Sequence, residues 1–111
     1  MPMNKEFAEQ EPDRAEVDAY QGASMLEFGA PWCPHCQAVQ PLLEAAFARH
    51  PHVRHIKIED GKGKPLGRSY RIKLWPTLVF LKNGVEVDRL VRCGDIAEIA
   101  RALEKIDAPA D

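Results

Sequence analysis

At 111 residues the chain has the length of one ordinary domain, which excludes an enzyme with a separate cofactor module. Its 45% hydrophobic and 29% charged residues are the balance of a folded globule and exclude a disordered or low-complexity chain. A formal net charge of -2 argues against the basic excess of a dedicated nucleic-acid or membrane-surface protein, and no apolar run approaches the roughly 20 residues of a membrane span.

The opening MPMNKEFAEQEPDRAE is acidic and lacks the apolar h-region of an export signal, so cytoplasmic residence is expected. Residues 1–22 read as a lead-in that belongs to the same domain as 23–107, with 108–111 as a tail. Within the lead-in, Pro12 ahead of Ala15, Val17 and Tyr20, with Gly22 behind them, predicts a short helix with proline in its first turn. Ser24 to Ala30, closed by Pro31, is a short apolar run that fits a buried strand. From Cys33 onward Val39, Leu42, Leu43, Ala46 and Phe47 recur at helical spacing to about Arg49, with Pro41 expected to kink the helix without ending it. Val53 to Ile58 alternates as a strand does. Strand, helix and strand with short links form a βαβ unit, hence a parallel pair with a right-handed crossover. Gly61 and Gly63 open a loop, Pro65 to Arg71 suits a short helix, and Thr77 to Leu81 reads as a central strand. Asn83-Gly84 is a hairpin signal that returns Val85 to about Val91 antiparallel. Asp95 with Glu98 resembles a capping box ahead of a final helix whose apolar stripe is Ile96, Ile99, Ala100, Leu103 and Ile106.

Three cysteines are odd in number and too few for a disulfide-stapled secreted scaffold. Two of them form Trp32-Cys33-Pro34-His35-Cys36 at a strand-to-helix handover. Cys33 there meets the unpaired N–H groups and positive dipole end of the helix, which favour a thiolate. Cys36, one turn on, lies on the same side, so the pair can close a small ring: Cys33 attacks a disulfide and Cys36 resolves the mixed disulfide. A c-type haem site would need histidine where Gln37 stands, and a zinc site two further ligands at metal spacing, so neither haem nor metal is expected. In a reducing compartment a structural disulfide is disfavoured, and redox chemistry without a bound cofactor is the leading reading.

WCPHC after an apolar strand, Pro41 within the next helix, Lys57, Trp75-Pro76-Thr77 and the Phe80 to Gly84 hairpin together resemble the thioredoxin family, over about Ser24 to Ile106. The resemblance implies a three-layer α/β/α fold with a central mixed sheet of four or five strands, and exchange of disulfides with proteins. It implies that Cys33 is the exposed nucleophile and Cys36 the buried resolving thiol, that Pro76 is a cis-proline facing them, and that Glu27 stands at the family's buried acid. A carboxylate between Leu26 and Phe28 on a buried strand is also a plausible proton shuttle for Cys36 on physical grounds; a glutamate at a strand end reaching water is the alternative. Lys57 matches a lysine near that acid, or is a solvated strand lysine. Trp32, Pro34, Trp75 and Pro76 are the expected substrate-binding residues, with the Trp75 backbone free to pair with an extended substrate segment. Trp75 is larger than the aliphatic residue usual there, and Gly29 stands where a tryptophan is common.

Between the cysteines, Pro-His is similar to the dithiol oxidase DsbA. His35 can place positive charge near Cys33 and favour the reduced form. Thioredoxin and DsbA lie about 150 mV apart, roughly 7 kcal/mol at about 30 mV per 1.4 kcal/mol, and an intermediate potential is expected here. Cys93 falls in a loop expected to approach the pair, where Arg92 or Cys93 displaces a common glycine; it is a possible regulatory thiol or an inert small hydrophobe. Bases outnumber acids between Arg49 and Lys73, which either steers acidic partners or is a solvated face. His50, His52 and His55 read as surface histidines. The expected protein is a monomeric, cytoplasmic thiol-disulfide oxidoreductase, recharged by a reductase or thiol pool, without nucleic-acid or membrane partners. The alternative is a thioredoxin-fold binding or chaperone-type adaptor with no significant turnover.

Overall fold

The computed structural model describes residues 3–107; the predicted tail at 108–111 lies outside the described residues. The chain runs α1 (Arg14–Asp18), β1 (Ala23–Gly29), α2 (Pro34–Phe47), β2 (Arg54–Glu59), α3 (Pro65–Ser69), β3 (Thr77–Lys82), β4 (Val85–Val91) and α4 (Ile96–Asp107). Among the described residues the sheet has four strands in the order β2-β1-β3-β4. β1 and β2 are parallel, with Glu27 opposite Lys57, and the other two pairings are antiparallel.

Alternation along β1 sends its side chains to two separate cores. Met25 joins Leu78 and Phe80 of β3 beneath Val39, Leu43 and Phe47 of α2 and Ile99 and Leu103 of α4. Leu26 and Phe28 point the other way, to Val17 of α1 and Leu66 and Tyr70 beside α3. Helices on both faces make three layers, and Glu27, two residues from Met25, is turned toward α2.

Local chemistry sets the element ends. Asp13, not proline, opens α1: its side chain accepts the Glu16 N–H at 2.8 Å while Glu16 reaches back, a complete capping box that leaves Pro12 outside the helix. In the hairpin Asn83 and Gly84 both have positive φ (52 and 78), the requirement of a tight type I′ turn. A Cβ on Gly84 would strike the Asp18 carbonyl, so the turn is fitted against the end of α1. At α4, Asp95 accepts the Ala97 N–H at 2.9 Å, whereas Glu98 is near the Cys93 sulfur instead of closing a capping box. Ile96 is 41% exposed and outside the stripe, whose place is taken by Ala102 in the next turns. The lead-in reaches the edge of β2, where the Ala8 N–H donates to the Lys57 carbonyl at 2.8 Å.

Candidate active site

β1 ends at Gly29 and the chain turns through Ala30-Pro31-Trp32 into α2, whose N-cap is Cys33. Pro34 occupies the first turn, where its missing N–H is not needed. The Cys33 sulfur accepts the Cys36 N–H at 3.3 Å, at the positive end of the helix dipole. Both cysteines are free thiols. The resemblance implied an exposed Cys33 and a buried Cys36, but whole-residue exposure is 5% and 3%, because Trp75 packs against the pair. Burial first, then hydrogen bonding to Cys33, pushes the Cys36 thiol up to about 12. Its sulfur also fills the space over Gly29, where a Cβ would come within 2.6 Å of it.

Behind the pair lies a polar cluster. Glu27 is 1% exposed, which excludes the solvent-reaching alternative. Its Oε2 accepts from the Gln40 side chain at 2.8 Å and its Oε1 pairs with His55 Nε2 at 2.8 Å. The His55 Nδ1 accepts the backbone N–H of Asn4 at 2.9 Å, so the ring proton resides on Nε2 and is donated to Glu27. Lys57 is 7% exposed and donates to Gln40 Oε1 at 3.1 Å; it reaches the acid through glutamine and is not a solvated lysine. Phe7 lies 4.8 Å from its ammonium, and Phe7, Cys36, Gln40 and Lys57 border a cavity of about 40 Å³.

His55 corrects the surface reading. It is 6% exposed and stacked on Phe47 at 4.9 Å. His50 is half-buried and paired with Asp107 at 2.7 Å, while His52 is exposed. Neither Gln40 nor His55 was singled out from the sequence as a site residue. The available signals were position: Gln40 is one helical turn beyond Cys36, and His55 shares a strand face with Lys57.

In front of the pair the Trp75–Pro76 peptide is cis. Asp60 fixes the Trp75 indole through Nε1 at 2.9 Å and has room because Gly67 carries no Cβ. Trp32, 68% exposed, meets Trp75 edge-on at 5.5 Å. The Trp75 carbonyl, expected to be free, accepts from Arg92 Nε at 2.9 Å, and the Arg92 N–H donates to the Pro76 carbonyl at 2.8 Å. His35, Pro76 and Cys93 border one cleft beside these residues. The Cys93 thiol lies 3.3 Å from Glu98 Oε2, and burial, aided by that carboxylate, raises it above its ordinary value. Among the described residues no group of three or more histidines, cysteines or acids could hold a metal ion, and no helix is long and apolar enough to cross a membrane.

A strand-to-helix turn holding two unlike thiols on a three-layer mixed sheet defines a dithiol oxidoreductase. A sequence model of the family described as thioredoxin matches residues 5–105. The chain is similar to thioredoxin H-type 1 of Nicotiana tabacum, 33% identical over 78% of this chain and 68% of that one. It is also 32% identical to a thioredoxin of Chlamydia trachomatis over 76% of this chain and 82% of that one. The solved structure of thioredoxin 2 from Pseudomonas aeruginosa PAO1, in its reduced form, is 48% identical and superposes with a TM-score of 0.82 over 91% of this chain and 94% of that one. This chain belongs to the thioredoxin family and is a thiol-disulfide oxidoreductase.

Proposed function

We propose that the chain reduces disulfides of protein substrates in the cytoplasm, as a monomer built from one domain over 23–107 with the lead-in packed on it. Cys33, as thiolate, attacks one substrate sulfur; the substrate disulfide breaks and its other sulfur leaves as a thiolate. Cys36 then gives up its proton and attacks the Cys33 sulfur, forming the Cys33–Cys36 disulfide and releasing the second substrate sulfur. Two electrons pass from the dithiol to the substrate, and a reductase or thiol pool returns them.

The observation that carries this reading is the placement of the Cys33 sulfur at the N-cap of α2, one turn from a buried Cys36. The Cys36 N–H points at the Cys33 sulfur, and Cys36 is held protonated by burial, pushed up to about 12. A group so raised does not compete as the first nucleophile at neutral pH. Glu27 is the proton acceptor for Cys36 in the resolving step; its charge is among the influences that raise that thiol. Gln40, with Lys57 beyond it, and His55 orient the carboxylate. Trp32, Pro34, Trp75 and Pro76 receive the substrate segment. His35, exposed beside Pro34, favours the reduced dithiol and sets a potential more oxidising than that of ordinary thioredoxin. Cys93, kept protonated, takes part only as a slow secondary thiol.

Insulin reduction with Cys33→Ser and Cys36→Ser variants tests the assignment. Wild type is expected to turn over, and Cys36→Ser, but not Cys33→Ser, to trap a mixed disulfide. Turnover no faster than either variant would favour a binding adaptor. A redox titration placing the pair at or below ordinary thioredoxin would remove the role given to His35.

A further inference from the structure

Arg92 is where this chain departs from the simplest construction of its site. Its φ of 51 lies in the left-handed region, which glycine enters freely and arginine does not. The residue is nonetheless tied down twice, N–H to the Pro76 carbonyl at 2.8 Å and Nε to the Trp75 carbonyl at 2.9 Å. A guanidinium carries five N–H donors. Among the described residues no carboxylate pairs with this one. The acids nearby are committed, Asp60 to Trp75, Asp95 to the start of α4 and Glu98 beside Cys93. The remaining donors face solvent at the rim of a cleft of about 100 Å³. Val39, Leu42 and Pro76 give this cleft an apolar floor, and His35 and Ala38 stand with Arg92 at its exposed rim.

We propose that this cleft is a specificity pocket for a substrate glutamate or aspartate flanking the attacked disulfide, and that Arg92 selects it. The inference rests on the reading that the substrate segment lies along Trp75. An acidic side chain suits both halves of the cleft: its methylenes cover the apolar floor while its carboxylate takes the guanidinium fork, the pairing for which arginine is shaped. The Trp75 carbonyl supplies the selectivity. A substrate N–H that pairs with it has to compete with Arg92, and a carboxylate offers the displaced guanidinium a new acceptor. A neutral segment offers none, and a lysine adds like-charge repulsion.

Three disulfide peptides, identical except for Glu, Gln or Lys on both sides of the cysteine, test this at low ionic strength with wild type, Arg92→Gly and Arg92→Glu. Arg92→Gly removes the side chain and suits the left-handed backbone, so it leaves the fold undisturbed. Wild type is expected to favour the Glu over the Lys peptide by about 10-fold or more in kcat/KM, carried by KM, the effect of one charge-assisted pair. Arg92→Gly should bring the two within about 2-fold, and Arg92→Glu should reverse the order. A wild type that does not discriminate, or a preference that survives in Arg92→Gly, overturns the proposal and leaves disulfide reduction standing. Turnover of all three peptides no faster than by Cys33→Ser overturns the reductase reading and this inference with it.

Discussion

His55 has one proton to give and gives it inward. With Nδ1 accepting from Asn4 and Nε2 donating to Glu27, the ring serves as a neutral plug between the lead-in and a buried carboxylate. Removing the donor would leave a buried charged oxygen short of a partner, which costs several times more than an ordinary hydrogen bond contributes. His55→Phe keeps a ring on Phe47 and should cost about 3 kcal/mol in urea unfolding. In a Glu27→Leu background, where no carboxylate remains to be satisfied, the same change should cost about 1 kcal/mol or less. Costs that add to within about 0.5 kcal/mol would mean that the two side chains do not depend on each other.

At the scale of elements, the order of strands and helices could be read from periodicity because each element has a continuous apolar face of its own. The hairpin was legible for a sharper reason: Asn83-Gly84 is a local solution to a local demand for positive φ. What could not be read is that Gly84 also abuts the carbonyl of Asp18, a residue far away in sequence. Gly84→Ala therefore meets both left-handed strain and a backbone collision and should cost about 2–4 kcal/mol, read from the urea midpoint. A loss below about 1 kcal/mol would show that the α1 end moves aside easily. The alternation over Val53 to Ile58 was also correct as a pattern. Alternation by itself does not say whether one face of a strand or both are covered, and so does not place His55. β2 is covered on both sides, so His55 and Lys57 are inside as well. Ile96 failed for the opposite reason: it stands at the very start of α4, ahead of the turns that meet the sheet.

For the molecule as a whole, the raised Cys36 thiol links the redox centre to stability. Between its ordinary value of 9.0 and about 12, the unfolded chain loses this proton while the folded chain keeps it. Unfolding then releases a proton, so stability falls as pH rises through that window, by at most about 1.4 kcal/mol per pH unit from this group. Cys36→Ala lacks this contribution. The stability difference between reduced wild type and Cys36→Ala should shift against wild type by about 2 kcal/mol from pH 9 to pH 11 in denaturant titrations. A constant difference would mean that burial does not hold the proton. The pair itself was legible in the sequence because a strand-to-helix turn and a C-x-x-C spacing are local. The acid cluster behind it joins residues from β1, α2, β2 and the lead-in, and only the parallel register brings them together.

The Asn4 amide on His55 has a practical consequence. The Asn4 backbone is two hydrogen bonds from the buried Glu27 carboxylate. A purification tag, a fusion partner or a surface tether attached ahead of Asn4 has a mechanical route to that buried carboxylate through His55. Immobilised on an electrode or bead through the chain ahead of Asn4, the protein is held by the segment whose amide sits on His55.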